Sequence, residues 1–230
     1  MPVAIFSMEM SAEQLVERSW ASLSRVPYSR ILNGQLDDDE WPKITSASNA
    51  VVAAPIFIDD SSALSAVDIR ARARRLKQRE GIGLVVVDYL TLMRLPEGKE
   101  NRNEKVGAVS WAMKQLARDL DIPVVLLSQL NRSLENRPNK RPVMSDLRDS
   151  GAIEQDADLI VFLYRDEVYR EESREKGTAE VIIAKQRNGP TGTVRLSFAG
   201  EYVHFDNMLR EDWERIQEPE TEEEAGFDDL

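Results

Sequence analysis

The chain of 230 residues contains no cysteine. A disulfide framework and thiolate chemistry are therefore excluded. It contains a single histidine, His204, which disfavours a His-based metal centre and a Ser-His catalytic arrangement. No apolar run approaches the roughly 20 residues of a membrane-spanning helix, and no secretory signal is visible. These absences point to a cytoplasmic protein with no membrane contact.

Hydrophobic residues make up 42% of the chain, which is ordinary for a globular fold. The net charge of -11 is unevenly spread. Residues 211–230 hold ten acidic residues and one Arg, a net of -9, which leaves the other 210 residues at -2. The acidic total therefore does not argue against nucleic acid, because basic stretches remain in the body of the chain.

Elements alternate along the sequence. Pro2–Ser7 reads as a buried strand. Ser11 then starts a helix, as N-cap with Gln14 three residues on. Residues 37–52 read as helical, Pro55–Asp60 as a short strand and Ser65–Glu80 as a helix. This last helix carries Arg70, Arg72, Arg74, Arg75, Lys77 and Arg79, a run better explained by a solvated face than by a binding site. Leu84-Val85-Val86-Val87-Asp88 is an apolar run ending in one carboxylate. Without strict alternation it is expected to be buried on both faces, as in a central parallel strand. A long helix follows over Asn101–Leu120, then a buried strand over Ile122–Gln129. Residues 130–150 form a long basic loop with Arg132, Arg137, Lys140, Arg141 and Arg148, of a length that is often functional. Strands are expected at Asp158–Tyr164, Thr178–Ala184, Thr193–Phe198 and Tyr202–Phe205, the middle two joined by the turn Asn188-Gly189-Pro190-Thr191-Gly192. From about Arg210 the chain is acidic, poor in apolar residues and expected to be disordered. No internal repeat is visible. Strands alternating with helices, then a hairpin, give an α/β fold with a mostly parallel sheet.

Three strands end in chemically useful residues: Glu9, Asp88 and Gln129. Parallel neighbours bring such ends to one edge, where open α/β sheets bind ligands. There a Glu polarises water, an Asp serves Mg²⁺ and a Gln hydrogen-bonds a phosphoryl oxygen. Singly, Glu9 reads as an acid at a helix start, Gln129 as a loop cap, and Lys185 with Arg187 as a solvated pair on one strand face.

Five motifs carry a family resemblance. They are Ile5-Phe6-Ser7-Met8-Glu9-Met10-Ser11, Val87-Asp88-Tyr89-Leu90-Thr91-Leu92-Met93, Leu127-Ser128-Gln129-Leu130-Asn131-Arg132, the run from Asp146 to Asp158, and the run from Ala184 to Gly192. In this order they resemble the C-terminal, RecA-like motor domain of the bacterial replicative DNA helicases of the DnaB family, over residues 2–209. A RecA-type recombinase shares the fold but not the last two motifs. The resemblance implies a homo-hexameric ring that uses ATP and Mg²⁺ between subunits and moves on single-stranded DNA. It implies that Glu9 activates the attacking water, that Asp88 is the metal-serving acid, and that Gln129 senses the γ-phosphate. Lys185 and Arg187 are implied to act in the neighbouring subunit's site, and Arg18 to lie near the nucleotide. Arg148, Asp149 and Gly151 are implied to lie on the DNA-binding loop. For Arg148 the alternative is a structural ion pair with a nearby Asp.

The family's phosphate loop, G-x-x-x-x-G-K-[ST], does not occur in the sequence. Gly98-Lys99-Glu100 lacks its spacing. By the resemblance that loop and its strand stand before Pro2, so the chain is expected to form residues 1–209 of a partial motor domain without its first strand, followed by the tail at 210–230. A helicase loader is among the implied partners. A primase contact is not expected, because the N-terminal collar is absent. Two readings stay open: an ATPase motor completed by a further segment, or a non-catalytic interaction module that keeps the fold.

Overall fold

The computed structural model describes residues 1–97, 101–147 and 150–209. The expected tail and the residues Arg148 and Asp149 lie outside the described residues, as does Gly98-Lys99-Glu100. The element order is β1 (Val3–Ser7), α1 (Ala12–Ser24), α2 (Tyr28–Asn33), α3 (Trp41–Ala53), β2 (Ile56–Asp59), α4 (Ala66–Glu80), β3 (Leu84–Asp88), α5 (Arg102–Leu120) and β4 (Val124–Leu126). Then come α6 (Ser150–Asp156), β5 (Leu159–Tyr164), β6 (Thr178–Gln186), β7 (Gly192–Ala199) and β8 (His204–Asn207).

The first four strands form a parallel sheet in the order β2-β1-β3-β4. The last four form an antiparallel meander in the order β5-β6-β7-β8. The α/β class holds, but the expected hairpin is part of a second sheet as large as the first. The strand at 158–164 belongs to that sheet, because it pairs antiparallel with β6. In the described residues β4 is bonded only to β3 and β5 only to β6, so each keeps one open edge. Val125, Leu127, Leu159, Val161 and Leu163 are exposed on and beside these two strands.

The core lies on one face of the parallel sheet. Ala4, Phe6, Val85 and Val87 are buried there against Ile69 and Ala73 of α4 and Val106, Val109, Met113 and Leu116 of α5. The spacing of the α5 residues is the three-and-four repeat of an amphipathic helix. On the other face, Val3, Ile5, Leu84 and Val86 are half-buried. This corrects the expectation of a strand buried on both sides. A run of valines does not record which face the helices cover, so periodicity alone misleads here.

Local chemistry sets the helix ends. Ser11 and Gln14 form the expected capping box, as do Ser65 with Asp68 and Asn101 with Glu104. The helix expected from residue 37 begins at Trp41, where Pro42 occupies the first turn. The short α2 was not expected; Pro27 precedes it and Gly34 ends it at φ 64°. The arginines of α4 are less free than a solvated face implies. Arg70 pairs with Asp119 at 2.5 Å, and Arg72 with Asp59 at 2.5 Å.

Candidate nucleotide site and its basic flanks

The parallel ladder brings three strand ends together. Ser7 is the register partner of Asp88 across β1 and β3, and Val87 partners Leu126 across β3 and β4. The backbone bonding continues past the strands. The Met8 amide donates to the Asp88 carbonyl at 2.7 Å, and the Leu90 amide to the Leu127 carbonyl at 3.0 Å. Glu9, Asp88 and Gln129 therefore stand on one sheet edge, as the strand ends implied.

The turn that presents Glu9 is held from within. The buried Ser7 hydroxyl donates to the Met10 carbonyl at 2.7 Å and accepts from the Met10 amide at 3.2 Å. The Ala12 amide donates to the Asp60 carboxylate at 3.0 Å, which ties the start of α1 to the end of β2. Glu9 is left exposed at the tip, and Gln129 is exposed beyond β4.

Asp88 is half-buried at the end of β3. Burial raises its carboxyl above the ordinary carboxylate value, and among the described residues nothing donates to it. The peptide bond between Asp88 and Tyr89 is cis. Among the described residues no group of three or more acids and histidines could hold a metal ion. The site fits a cation that takes one carboxylate from the protein and the rest of its oxygens from phosphate and water, as Mg²⁺ does. A cation at Asp88 would favour the ionised form that burial opposes.

Lys185 and Arg187 share a face, as their spacing implies, but both are engaged within the chain. The Lys185 ammonium donates to the Glu154 carbonyl, and Arg187 donates to the Gln155 carbonyl at 2.6 Å. These are carbonyls at the end of α6, where cations are favoured. Arg187 also pairs with Asp158 at 3.3 Å, and Lys114 pairs with the same carboxylate. The pair thus folds back onto α6 of its own chain. For either side chain to act in a neighbouring subunit, as the resemblance implies, these contacts would have to be released.

Arg18 lies on α1 with its guanidinium 5.7 Å from the Tyr28 ring centroid. Gly151 is the second residue of α6, with open space where a side chain would go. Arg148 and Asp149 lie just before α6, outside the described residues.

Two features of this region escaped sequence reasoning. An added Cβ at Gly107 would lie 2.9 Å from the Ala152 Cβ, so this glycine sets how closely α5 and α6 approach. A glycine inside a helix pattern was the available signal. The second is a salt-bridge network that anchors the basic loop. Arg141 donates twice to Glu180 at 2.8 Å, and Arg195 pairs with Glu175 at 2.9 Å. Arg137 pairs with Asp146 at 2.6 Å. No local pattern announces a pair such as Arg141 with Glu180, 39 residues apart.

The profile of the DnaB-like helicase C terminal domain matches residues 1–207. The chain belongs to this family. It is 54% identical over 213 residues to the replicative DNA helicase DnaB of Pasteurella multocida (strain Pm70), covering 91% of this chain and 46% of that protein. It is 50% identical over 209 residues to the DnaB of Geobacillus stearothermophilus, covering 90% of this chain and 46% of that protein. The chain thus spans about half the length of the curated DnaB relatives it matches. Among solved structures, a DnaB-like replicative helicase, described with its interactions with primase, superposes with a TM-score of 0.86 at 38% identity, covering 90% of this chain and 51% of that one. The DnaB-like assignment accounts for the parallel sheet and the order of the motifs. No described helix is long and apolar enough to cross a membrane.

Proposed function

We propose that the chain is the C-terminal motor part of a ring-shaped replicative helicase that couples ATP hydrolysis to movement along single-stranded DNA and unwinding of the duplex. The observation that carries this reading is the shared sheet edge of Glu9, Asp88 and Gln129, set by the β1, β3 and β4 register. Glu9, exposed and acceptor-only when ionised, takes a proton from the attacking water. Asp88 would hold Mg²⁺, which when bound would neutralise charge developing on the phosphates. Gln129 donates its amide to a γ-phosphoryl oxygen without adding charge. Arg18 flanks the nucleotide.

Assembly as a homo-hexamer gives Lys185 and Arg187 their task. Released from the α6 carbonyls, they reach the phosphates held by the adjacent subunit. The exchange of partners, from carbonyls within the chain to phosphate across the interface, couples nucleotide occupancy to α6. That helix contains Gly151 and follows Arg148 and Asp149, the loop proposed to hold DNA. The open edges of β4 and β5 suit the phosphate-loop strand that the resemblance implies. A helicase loader is the further partner of this reading, and the cytoplasm, with its chromosome, is the compartment.

The test uses the chain joined behind a phosphate loop and its strand taken from a DnaB relative. The protein so completed should hydrolyse ATP and unwind a forked duplex. Glu9→Gln and Asp88→Asn should each abolish turnover. A completed protein that turns over ATP equally well with both substitutions refutes the reading.

A further inference from the structure

The basic loop after β4 returns to its starting point. Leu130 pairs with Leu147, and the Asn131 amide donates to the Asp146 carbonyl at 2.8 Å. This neck stands directly before Arg148. The far side of the loop meets the end of β5 and encloses an open pocket of about 440 Å³. Its wall is a pair of stacked rings, Tyr164 and Tyr169, with centroids 5.7 Å apart and planes 12° apart. Tyr164 is buried and donates to Asp166 at 2.6 Å, whereas Tyr169 is 38% exposed. The Lys140 ammonium lies 5.4 Å from the Tyr169 centroid. Arg170 stands at the rim with 67% of its side chain exposed.

Two nearby carboxylates, Asp166 and Glu180, are already engaged. Asp166 accepts from both Tyr164 and Ser173, at 2.6 and 2.8 Å, and Arg170 approaches it only to 4.0 Å. Glu180 is held by Arg141, whose guanidinium lies 4.8 Å from the Tyr164 centroid. Glu135 is the one acid among the lining residues, against Arg137, Lys140 and Arg170. The pocket therefore offers an aromatic platform beside two cations: Lys140, with no carboxylate partner among the described residues, and Arg170, mostly exposed and paired with Asp166 only at 4.0 Å. A duplex presents no unstacked base to such a ring, and a free phosphate makes no use of it. A single strand uses both, with a base on the ring and phosphates on the cations.

We propose that this pocket is a second contact for single-stranded nucleic acid, in which a base stacks on Tyr169 and Lys140 and Arg170 hold the flanking phosphates. The inference rests on the motor reading above and extends its DNA path beyond Arg148. The flexible stem of Lys140 lets its ammonium move from the ring to a phosphate. Tyr164, fixed by Asp166, backs Tyr169 from behind.

The test uses the full chain and a fluorescent oligothymidylate, followed by anisotropy across a salt titration. Tyr169→Ala should weaken binding by about tenfold with the salt slope kept, and Tyr169→Trp should restore it. The double variant Lys140→Ala, Arg170→Ala should lower the slope by about 0.7 for each phosphate no longer neutralised. An oligonucleotide carrying 5-iododeoxyuridine should crosslink to the peptide that contains Tyr169. Unchanged binding by both variants, or a crosslink mapped only elsewhere, overturns the proposal. If Arg148→Ala weakens binding and these variants do not, the pocket fails while the motor reading stands. If Tyr169→Ala weakens binding and Arg148→Ala does not, the DNA-loop assignment fails and the pocket stands. A chain that takes up no oligonucleotide overturns both.

Discussion

Ser7 and Asp88 are register partners at the C-terminal ends of β1 and β3, bonded on through the Met8 amide to the Asp88 carbonyl at 2.7 Å. The carboxylate that ends β3 is thereby fixed beside the turn that presents Glu9. Any slip of β3 against β1 by one residue would turn Asp88 to the other face of the sheet.

The burial of Asp88 has a stability consequence. Its folded pKa is raised above the ordinary 3.8, so in that window the folded state binds more protons than the unfolded chain. Stability therefore falls as pH rises through the window, and the full cost remains at neutral pH. Asp88→Asn should raise the melting temperature slightly at pH 7 and leave it unchanged near pH 3, while abolishing hydrolysis in a completed protein. A lower melting temperature at pH 7 would mean that the carboxylate has a stabilising partner.

Asp158 shows the opposite sign. The hydrogen bond from Lys114 leads the effects that lower its pKa, and Arg187 adds to it. Its contribution is present above the unfolded value and is lost as pH falls through the depressed folded one. Asp158→Asn should lower the melting temperature at pH 7 and have little effect near pH 2. Equal losses at both pH values would assign the effect to packing.

Gly107 faces Ala152 across the α5–α6 contact. In an open helix, Gly→Ala stabilises by about 1 kcal/mol. Here overpacking of about 1–3 kcal/mol opposes that gain, so Gly107→Ala should be neutral to destabilising. Adding Ala152→Gly should relieve the clash, and a double-mutant cycle by denaturant titration measures the coupling. Additive effects would place the two helices further apart than the structure does.

Arg187 tests the assembly. In a completed protein, Arg187→Ala should lower turnover by about 10³-fold or more if it acts as an arginine finger. Rings mixed from Arg187→Ala and Glu9→Ala subunits should regain partial activity, because some intact Glu9 sites then meet an intact Arg187. Absence of recovery, with subunit exchange verified by fluorescence transfer, assigns Arg187 to its own subunit, where it already holds Gln155 and Asp158. Near-normal turnover in the single variant rejects the finger altogether.

Much of the fold was legible in the sequence because its cues are local. Ser11 with Gln14 starts a helix through contacts three residues apart. Val85 to Asp88 declares a strand and its polar end without reference to any other segment. The candidate edge residues Glu9, Asp88 and Gln129 could be named because each closely follows or ends such a run. What tertiary structure decided depends on distant partners. The order β2-β1-β3-β4, the division of the eight described strands into two sheets, and the burial of only one face of β3 follow from where α4 and α5 pack. Arg141 was legible as a cation of the basic loop, but its neutralisation by Glu180, 39 residues on, was not. Lys185 and Arg187 were legible as a pair on one face, but their engagement with α6 was not. Spacing along a strand fixes which side chains share a face; only the packed chain fixes what that face meets.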